Sequence, residues 1–456
     1  MAVSVEGLAS AVKGRVVGPD DADYDAARAL YNGMIDKRPA AIVYCADEAE
    51  VAAAVRYGVE HDLRIAVRCG GHNGAGLGSV DDGLVIDLSE LNDVTVDPGA
   101  SMVRAGGGVL LKDLIETTHQ HGLTLPVGII GTTGVGGLTL GGGIGHLTRA
   151  FGLTIDNLVG ATVVLADGSV VESDSEREPD LFWAIRGGGG NFGIVTSFSF
   201  RCHPLTNVLA GPVLYDLGDT ADVMRWYDGF IASAPEELGG WFAYLSVPPG
   251  PPFPEELHLR KVCAMVWTQP GEEETPALRE ARSFGKPLLD GVAPMPFPAW
   301  NTAFDALLPP GEQWYWRGEF FDEMSDGLIE ASLEWMPKAP TWKSTMHMYA
   351  IDGAAARVGN DDTAWAYRHA RWAQVVAGID PDPANAGVVS EWARGYSDAT
   401  RPFAMPGGYS NFQMAEEPDR VRGMYGANYD RLARVKAQYD PENVFRVNQN
   451  IKPLDG

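Results

Sequence analysis

The chain has 456 residues, 45% hydrophobic and 21% charged, which is enough for a large core and about two domains and excludes disordered and fibrous classes. A formal net charge of −26 repels nucleic-acid phosphates, so DNA and RNA are poor partners. Four dispersed cysteines form no Cys-x-x-Cys pair, the first residues lack a secretory pattern, and no run approaches the roughly 18 to 20 apolar residues of a membrane span. A cytoplasmic protein with no membrane partner is expected, as monomer or homodimer.

From about residue 40 to 205, short β-branched runs alternate with a few helices and many glycines. Ala41-Ile42-Val43-Tyr44 reads as a strand. Asp47, with Glu50 three residues on, caps a following helix whose Val51, Val55 and Val59 share a face. Residues 64–68 and 84–88 read as further strands. Asp167-Gly168 between two β-branched runs reads as a hairpin, the pair supplying the φ > 0 positions of a type I′ turn. The pattern is α+β, too irregular for a simple βαβ series. After Leu205 tryptophan becomes frequent, and the proline run 248–254 reads as an exposed loop in a second domain. The amide-rich end around Asn448-Gln449-Asn450-Ile451 reads as tied back onto the first domain.

Gly188, Gly190 and Gly193 form a G-x-G-x-x-G, but a helix precedes it and a strand follows, the reverse of a Rossmann dinucleotide site. Walker A, H-E-x-x-H and G-x-S-x-G patterns are absent, and the nine histidines show no metal-ligand spacing, so no metal is expected. Three glycine clusters remain, at residues 68–76, 128–145 and 187–193. Glycine lets main-chain N–H groups converge closely on an anion, which is how an acidic protein binds pyrophosphate without lysine. His72 directly follows Gly70-Gly71, on a backbone able to touch a cofactor.

Arg68-x-Gly70-Gly71-His72-Asn73, the glycine run 134–145, Phe151-Gly-Leu-x-x-Asp-Asn157, the run 181–193 and Asn448-Gln449-Asn450-Ile451 stand in one order along nearly the whole chain. Together they resemble the berberine-bridge-enzyme-like branch of the vanillyl-alcohol-oxidase flavoproteins, most closely its bacterial members. The resemblance implies a bipartite PCMH-type FAD-binding domain, residues 1–205 with a C-terminal segment 413–456. An antiparallel-sheet substrate domain covered by helices, residues 206–412, is inserted between them. It further implies FAD bonded through its 8α carbon to His72, with Arg68, Cys69, Gly70, Gly71, Asn73 and Gly76 around it. Thr132, Thr133, Gly134, Gly136, Gly137, Leu138, Gly142 and Gly145 would come from the second cluster, Val195 from the strand after the third, and Asn448 and Asn450 from the tail. Ile130 stands where many plant relatives carry a cysteine that makes a second bond, so a single link is expected.

Thr133 occupies the family position facing the flavin C4a/N5 edge, where small branched groups permit O2. Tyr409, in Gly408-Tyr409-Ser410-Asn411, resembles the family's Tyr-x-Asn element at the active face. Thr345-Met346-His347-Met348-Tyr349 alternates as a strand with Thr345, His347 and Tyr349 on one face. His347 stands where similar bacterial enzymes carry a glutamate base, a role that here either persists with altered chemistry or is lost. Trp314-Tyr315-Trp316-Arg317 and Tyr244 are candidates to line an aromatic pocket for a planar, partly apolar substrate. The expectation is an FAD oxidase that takes hydride from a small or medium organic alcohol or amine, with aromatic or polyketide-like metabolites as candidates, and returns electrons to O2 as hydrogen peroxide. The alternatives are a dehydrogenase with another acceptor, or a flavin-binding protein without turnover.

Overall fold

In the computed structural model, which describes residues 5–415 and 418–454, strands β1 (Ala41–Tyr44), β2 (Ile65–Arg68) and β3 (Leu84–Asp87) pair in parallel in the order β1-β3-β2. They are apolar and mostly buried, as parallel strands covered on both faces must be. Between β1 and β2 runs α1 (Glu48–Glu60), capped by the Asp47 side chain, which accepts from the Glu50 N–H at 2.8 Å. The Glu50 carboxylate reaches instead to the N–H groups of Ala46 and Lys13, tying the helix start to the N-terminal segment. Val51 and Val55 are fully buried, but Val59 is 45% exposed. Eight residues at 100° per residue carry Val59 about 80° around the axis from Val51, off the buried stripe.

A second sheet is antiparallel, in the order β4 (Val94–Asp97), β5 (Met102–Gly106), β8 (Ile194–Arg201), β6 (Leu158–Val164) and β7 (Val170–Ser173). The β6–β7 hairpin departs from the expected type I′ turn. Of the Asp-Gly pair only Gly168 has positive φ, 76°, and Leu165 N–H bonds the Ser169 carbonyl, a three-residue loop closed by a left-handed glycine. Asp167 thereby avoids the Cβ penalty of a left-handed conformation. Helix α2 (Pro179–Ile185) precedes the glycine loop 187–193 and β8 follows it, the helix-then-strand order that excludes a Rossmann turn.

The largest sheet is antiparallel and contains β9 (Asn207–Asp216), β10 (Gly239–Ser246), β11 (Lys261–Pro270), β12 (Gln313–Phe321), β13 (Thr345–Ala350) and β14 (Trp372–Asp380), ordered β9-β11-β10-β13-β14-β12. Its two faces belong to different cores. Phe242, Tyr244, Met346, Met348, Trp372 and Val376 pack under α3 (Thr220–Ser233), α4 (Asp326–Trp335) and α5 (Ala386–Thr400). The alternate residues Trp241, Ala243, Tyr349, Ala373 and Val375 join the core shared with the five-stranded sheet. The sheet therefore presents one face toward the glycine loops.

The chain end returns to those loops through α6 (Tyr429–Tyr439). Lys436 is fully buried, and its ammonium donates to the Asn191 carbonyl at 2.6 Å, the Asp440 carboxylate at 2.6 Å and the Phe445 carbonyl at 2.9 Å. Asn448 Nδ2 donates to the Gly190 carbonyl at 3.1 Å, and Ile451 N–H to Asn191 Oδ1 at 2.9 Å. Among the described residues no helix is long and apolar enough to cross a membrane.

Candidate active site

A cavity of about 370 Å³ lies between the glycine loops and the inward face of the largest sheet. Its first wall starts where β2 ends. Arg68 stands beside Asp87 in the parallel register of β2 and β3, and its Nε donates to that carboxylate at 2.5 Å. The guanidinium is thus already paired. Two residues on, the backbones touch: a Cβ at Gly70 would lie 2.5 Å from the Gly134 nitrogen and 2.9 Å from the Thr132 carbonyl oxygen. This approach brings Thr132 and Thr133 onto His72.

The His72 imidazole is held on three sides. Its Nε2 lies 2.9 Å from Thr132 Oγ1, its Nδ1 lies 3.3 Å from Thr133 Oγ1, and the Tyr31 ring stacks on it at 3.8 Å and 20°. Tyr31 is itself fixed, its N–H bonding the Gly71 carbonyl and its hydroxyl the Leu308 carbonyl at 2.7 Å. Removal from water pushes His72 down to about 3, so the ring is neutral.

Cys69, Gly70, Gly71, Asn73, Thr133, Gly134, Gly136, Gly137, Leu138, Val195 and Asn448 also line this wall. A Cβ built at Gly137 or Gly190 would meet no protein atom within 4 Å, so the main chain there borders open space. Asn448 Oδ1 is buried at the same wall without a protein partner. Backbone left bare by glycine and an unpaired amide oxygen suit a ligand with phosphates and hydroxyls, and the residues present fit a flavin dinucleotide. Several expected residues lie off the wall. Thr132 acts from behind His72. Gly76 packs on Ile35, Gly142 on Trp365 and Tyr409, and Gly145 against the Val127 carbonyl, each where a side chain would collide. Asn450 Oδ1 is buried without a partner outside the lining.

The second wall is the sheet. Thr345, His347 and Tyr349 of β13 line it with Val375 and Ala377 of β14 and Trp314 and Trp316 of β12. Tyr315 and Tyr244 do not, contrary to the expectation. They fall on the alternate positions of β12 and β10 and pack in the core under the helices, where Arg394 Nε donates to the Tyr315 hydroxyl at 2.8 Å. His347 Nδ1 lies 2.9 Å from the Tyr349 hydroxyl and the ring packs on Trp241 at 4.4 Å. Burial pushes His347 down to about 3, which makes it a poor base.

Tyr409 reaches the cavity between the walls. Its oxygen accepts from the Gly143 N–H at 2.8 Å and from Asn411 Nδ2 at 2.9 Å, and burial raises it to about 12 against these lowering contacts. Tyr31, Asn191, Asn411 and Gln449 were not among the expected site residues. Asn411 lay within the quoted Tyr-x-Asn element, whereas Tyr31 stands 41 residues before His72 in no motif. No cluster of three or more metal-ligating side chains occurs among the described residues.

The family model described as "FAD binding domain" matches residues 39–174, and that described as "Berberine and berberine like" matches residues 408–452. These two segments hold His72 and Tyr409. An uncharacterised FAD-linked oxidoreductase, YgaK of Bacillus subtilis, is 33% identical over 97% of both chains. (R)-6-hydroxynicotine oxidase of Paenarthrobacter nicotinovorans is 30% identical over 97% of each. The crystal structure of 6-hydroxy-D-nicotine oxidase from Arthrobacter nicotinovorans superimposes with a TM-score of 0.86 at 26% identity, over the whole of both chains. The chain belongs to the berberine and berberine-like family of FAD-linked oxidoreductases.

Proposed function

We propose that this FAD-linked oxidoreductase is an oxidase with its flavin joined to the protein by one bond, at His72, acting on an uncharged planar alcohol or amine. The observation that carries this reading is the neutral His72 imidazole, clasped by Thr132, Thr133 and Tyr31 on a glycine-lined wall opposite an apolar, aromatic sheet face. FAD bound there supplies a hydride acceptor and passes the electron pair to O2, giving hydrogen peroxide.

The protein's own groups do the rest. Gly137 and Gly190 let the backbone lie against the dinucleotide, and Asn448 offers an amide oxygen. Thr133, the position expected at the flavin C4a/N5 edge, is small enough to admit O2 there. Tyr409 takes the proton that leaves the substrate hydroxyl or amine. Burial raises Tyr409 to about 12, so the phenolate that accepts this proton is a minor form, stabilised by the Gly143 and Asn411 N–H groups aimed at its oxygen. Trp314, Trp316 and Val375 cover the substrate body and exclude water. Among the described residues no carboxylate lines the cavity, which disfavours a cationic substrate.

Acid denaturation tests the link. Yellow colour should stay with the wild-type polypeptide and leave it in His72→Ala; loss of flavin from the wild type refutes the covalent reading. Peroxide release in air from a panel of neutral aromatic alcohols and amines tests the oxidase. Tyr409→Phe should lower kcat on any such substrate about 10²- to 10⁴-fold. Turnover restricted to an artificial dye under nitrogen would make the enzyme a dehydrogenase.

A further inference from the structure

His347 presents an unused ring nitrogen to the cavity. Its Nδ1 is engaged with the Tyr349 hydroxyl, two residues along β13 on the same face. Two arguments orient that bond. An imidazole nitrogen is a much better proton acceptor than a phenol oxygen, and the phenol O–H is the better donor. The Tyr349 hydroxyl makes no second hydrogen bond among the described residues, so accepting from His347 would leave its own hydrogen without a partner among them. Tyr349 therefore donates, and the proton of the neutral imidazole sits on Nε2. Among the described residues that nitrogen has no partner, yet it is not among their occluded polar atoms, so it opens onto the cavity that His347 lines. The neighbours pressed on the ring, Trp241 and Ala243 from β10 and Val375 from β14, carry no charge.

We infer that His347 Nε2–H, locked in this tautomer by Tyr349, is a donor subsite that recognises an acceptor oxygen, such as a carbonyl or phenolic oxygen, on an uncharged substrate. The inference rests on the reading of the cavity as the substrate site, and makes Tyr349 a positioning residue. The sheet register supports it. Trp316, Ala377 and Thr345 form one cross-strand row, and Gly318, Val375 and His347 the next. Small residues on the middle strand leave a trough between Trp316 and His347 about two strand spacings wide, roughly 10 Å. A flat ring system lying in this trough carries its oxygen to His347.

The tautomer is readable directly. Holoenzyme labelled with ¹⁵N-histidine, with the His347 signals assigned by their disappearance in His347→Gln, should show Nε2 protonated and Nδ1 bare. Tyr349→Phe should give a mixture of tautomers. A wild-type proton on Nδ1, or no change in Tyr349→Phe, overturns the proposal. A second arm compares acetophenone with ethylbenzene, alike in shape but differing in the acceptor oxygen, by perturbation of the flavin absorbance. Wild type should bind acetophenone about fivefold more tightly, the worth of one hydrogen bond, and His347→Leu should lose the preference. Equal binding to wild type refutes the donor subsite while leaving the substrate cavity standing. If neither probe perturbs the flavin, the cavity reading falls and the subsite with it.

Discussion

Replacing Lys436 by Met should cost about 3 kcal/mol of stability and loosen the flavin site. The ammonium is fully buried and makes three hydrogen bonds, to Asn191, Asp440 and Phe445. Methionine fills much of the volume but leaves the Asn191 carbonyl without a donor, the Phe445 carbonyl with Asn448 Nδ2 alone, and the Asp440 carboxylate without its counter-charge. Breaking one side of a buried ion pair costs about 3–5 kcal/mol. Asp440 still accepts from Val444 N–H at 2.7 Å and Phe445 N–H at 2.9 Å, which places the loss at the lower end. Urea unfolding followed by tryptophan fluorescence measures it. Adding Asp440→Asn should recover about half, because the stranded charge is then gone while an acceptor oxygen remains. The carbonyl released at Asn191 and the nearby Asn448 both belong to the cavity wall, so the single variant should also retain less flavin after purification. A loss below about 1 kcal/mol, typical of exposed pairs, would refute the claim that this interaction fastens the chain end.

Buried His146, whose ring nitrogens have no partners, is pushed by desolvation to about 3, below its free value of 6.5. The unfolded chain takes up that proton first as pH falls, so stability is present above pH 6.5 and lost below it, about 2 kcal/mol between pH 8 and 5. His146→Phe should flatten the pH dependence of the unfolding free energy by that amount; an unchanged slope would show that the ring protonates in place. Gly137→Val borders open space and should leave the unfolding midpoint of flavin-free protein within about 0.5 kcal/mol while cutting flavin content. Gly145→Ala, whose Cβ would lie 1.7 Å from the Val127 oxygen, should destabilise both forms. Tyr31→Leu removes the stack on His72 and should lower the fraction of flavin that survives denaturing electrophoresis. Tyr31→Phe keeps the ring and should restore that fraction, and equal retention in all three proteins would exclude a positioning role.

The first wall was legible in the sequence because its chemistry is local. Gly70, Gly71 and His72 are adjacent, and consecutive glycines announce a backbone that something must approach. Tyr31 was not, because its stacking on His72 depends on a tertiary contact between segments 41 residues apart with no shared pattern. The helix-then-strand order around Gly188 was read correctly from apolar periodicity. On β12 the same reasoning failed for a physical reason. Trp314, Tyr315 and Trp316 are all aromatic since both faces of the sheet are buried, so alternation gives two sets without saying which meets the ligand. Tyr244 misled in the same way, packing under the helices between Ala243 and Leu245, which face the inward core. Val59 was misplaced because a run of valines at i, i+4 and i+8 drifts around a helix instead of tracking one line.

The middle strand of the trough separates two jobs with unusual economy. Val375 and Ala377 of β14 meet the cavity, while Trp372 and Val376 of the same strand anchor the helical layer behind it. Enlarging or trimming the first pair alters the room left for a guest molecule without touching the packing of the sheet against its helical layer. Descendants of this chain can therefore reshape the cavity through two small side chains, and the helical layer need not answer for the change.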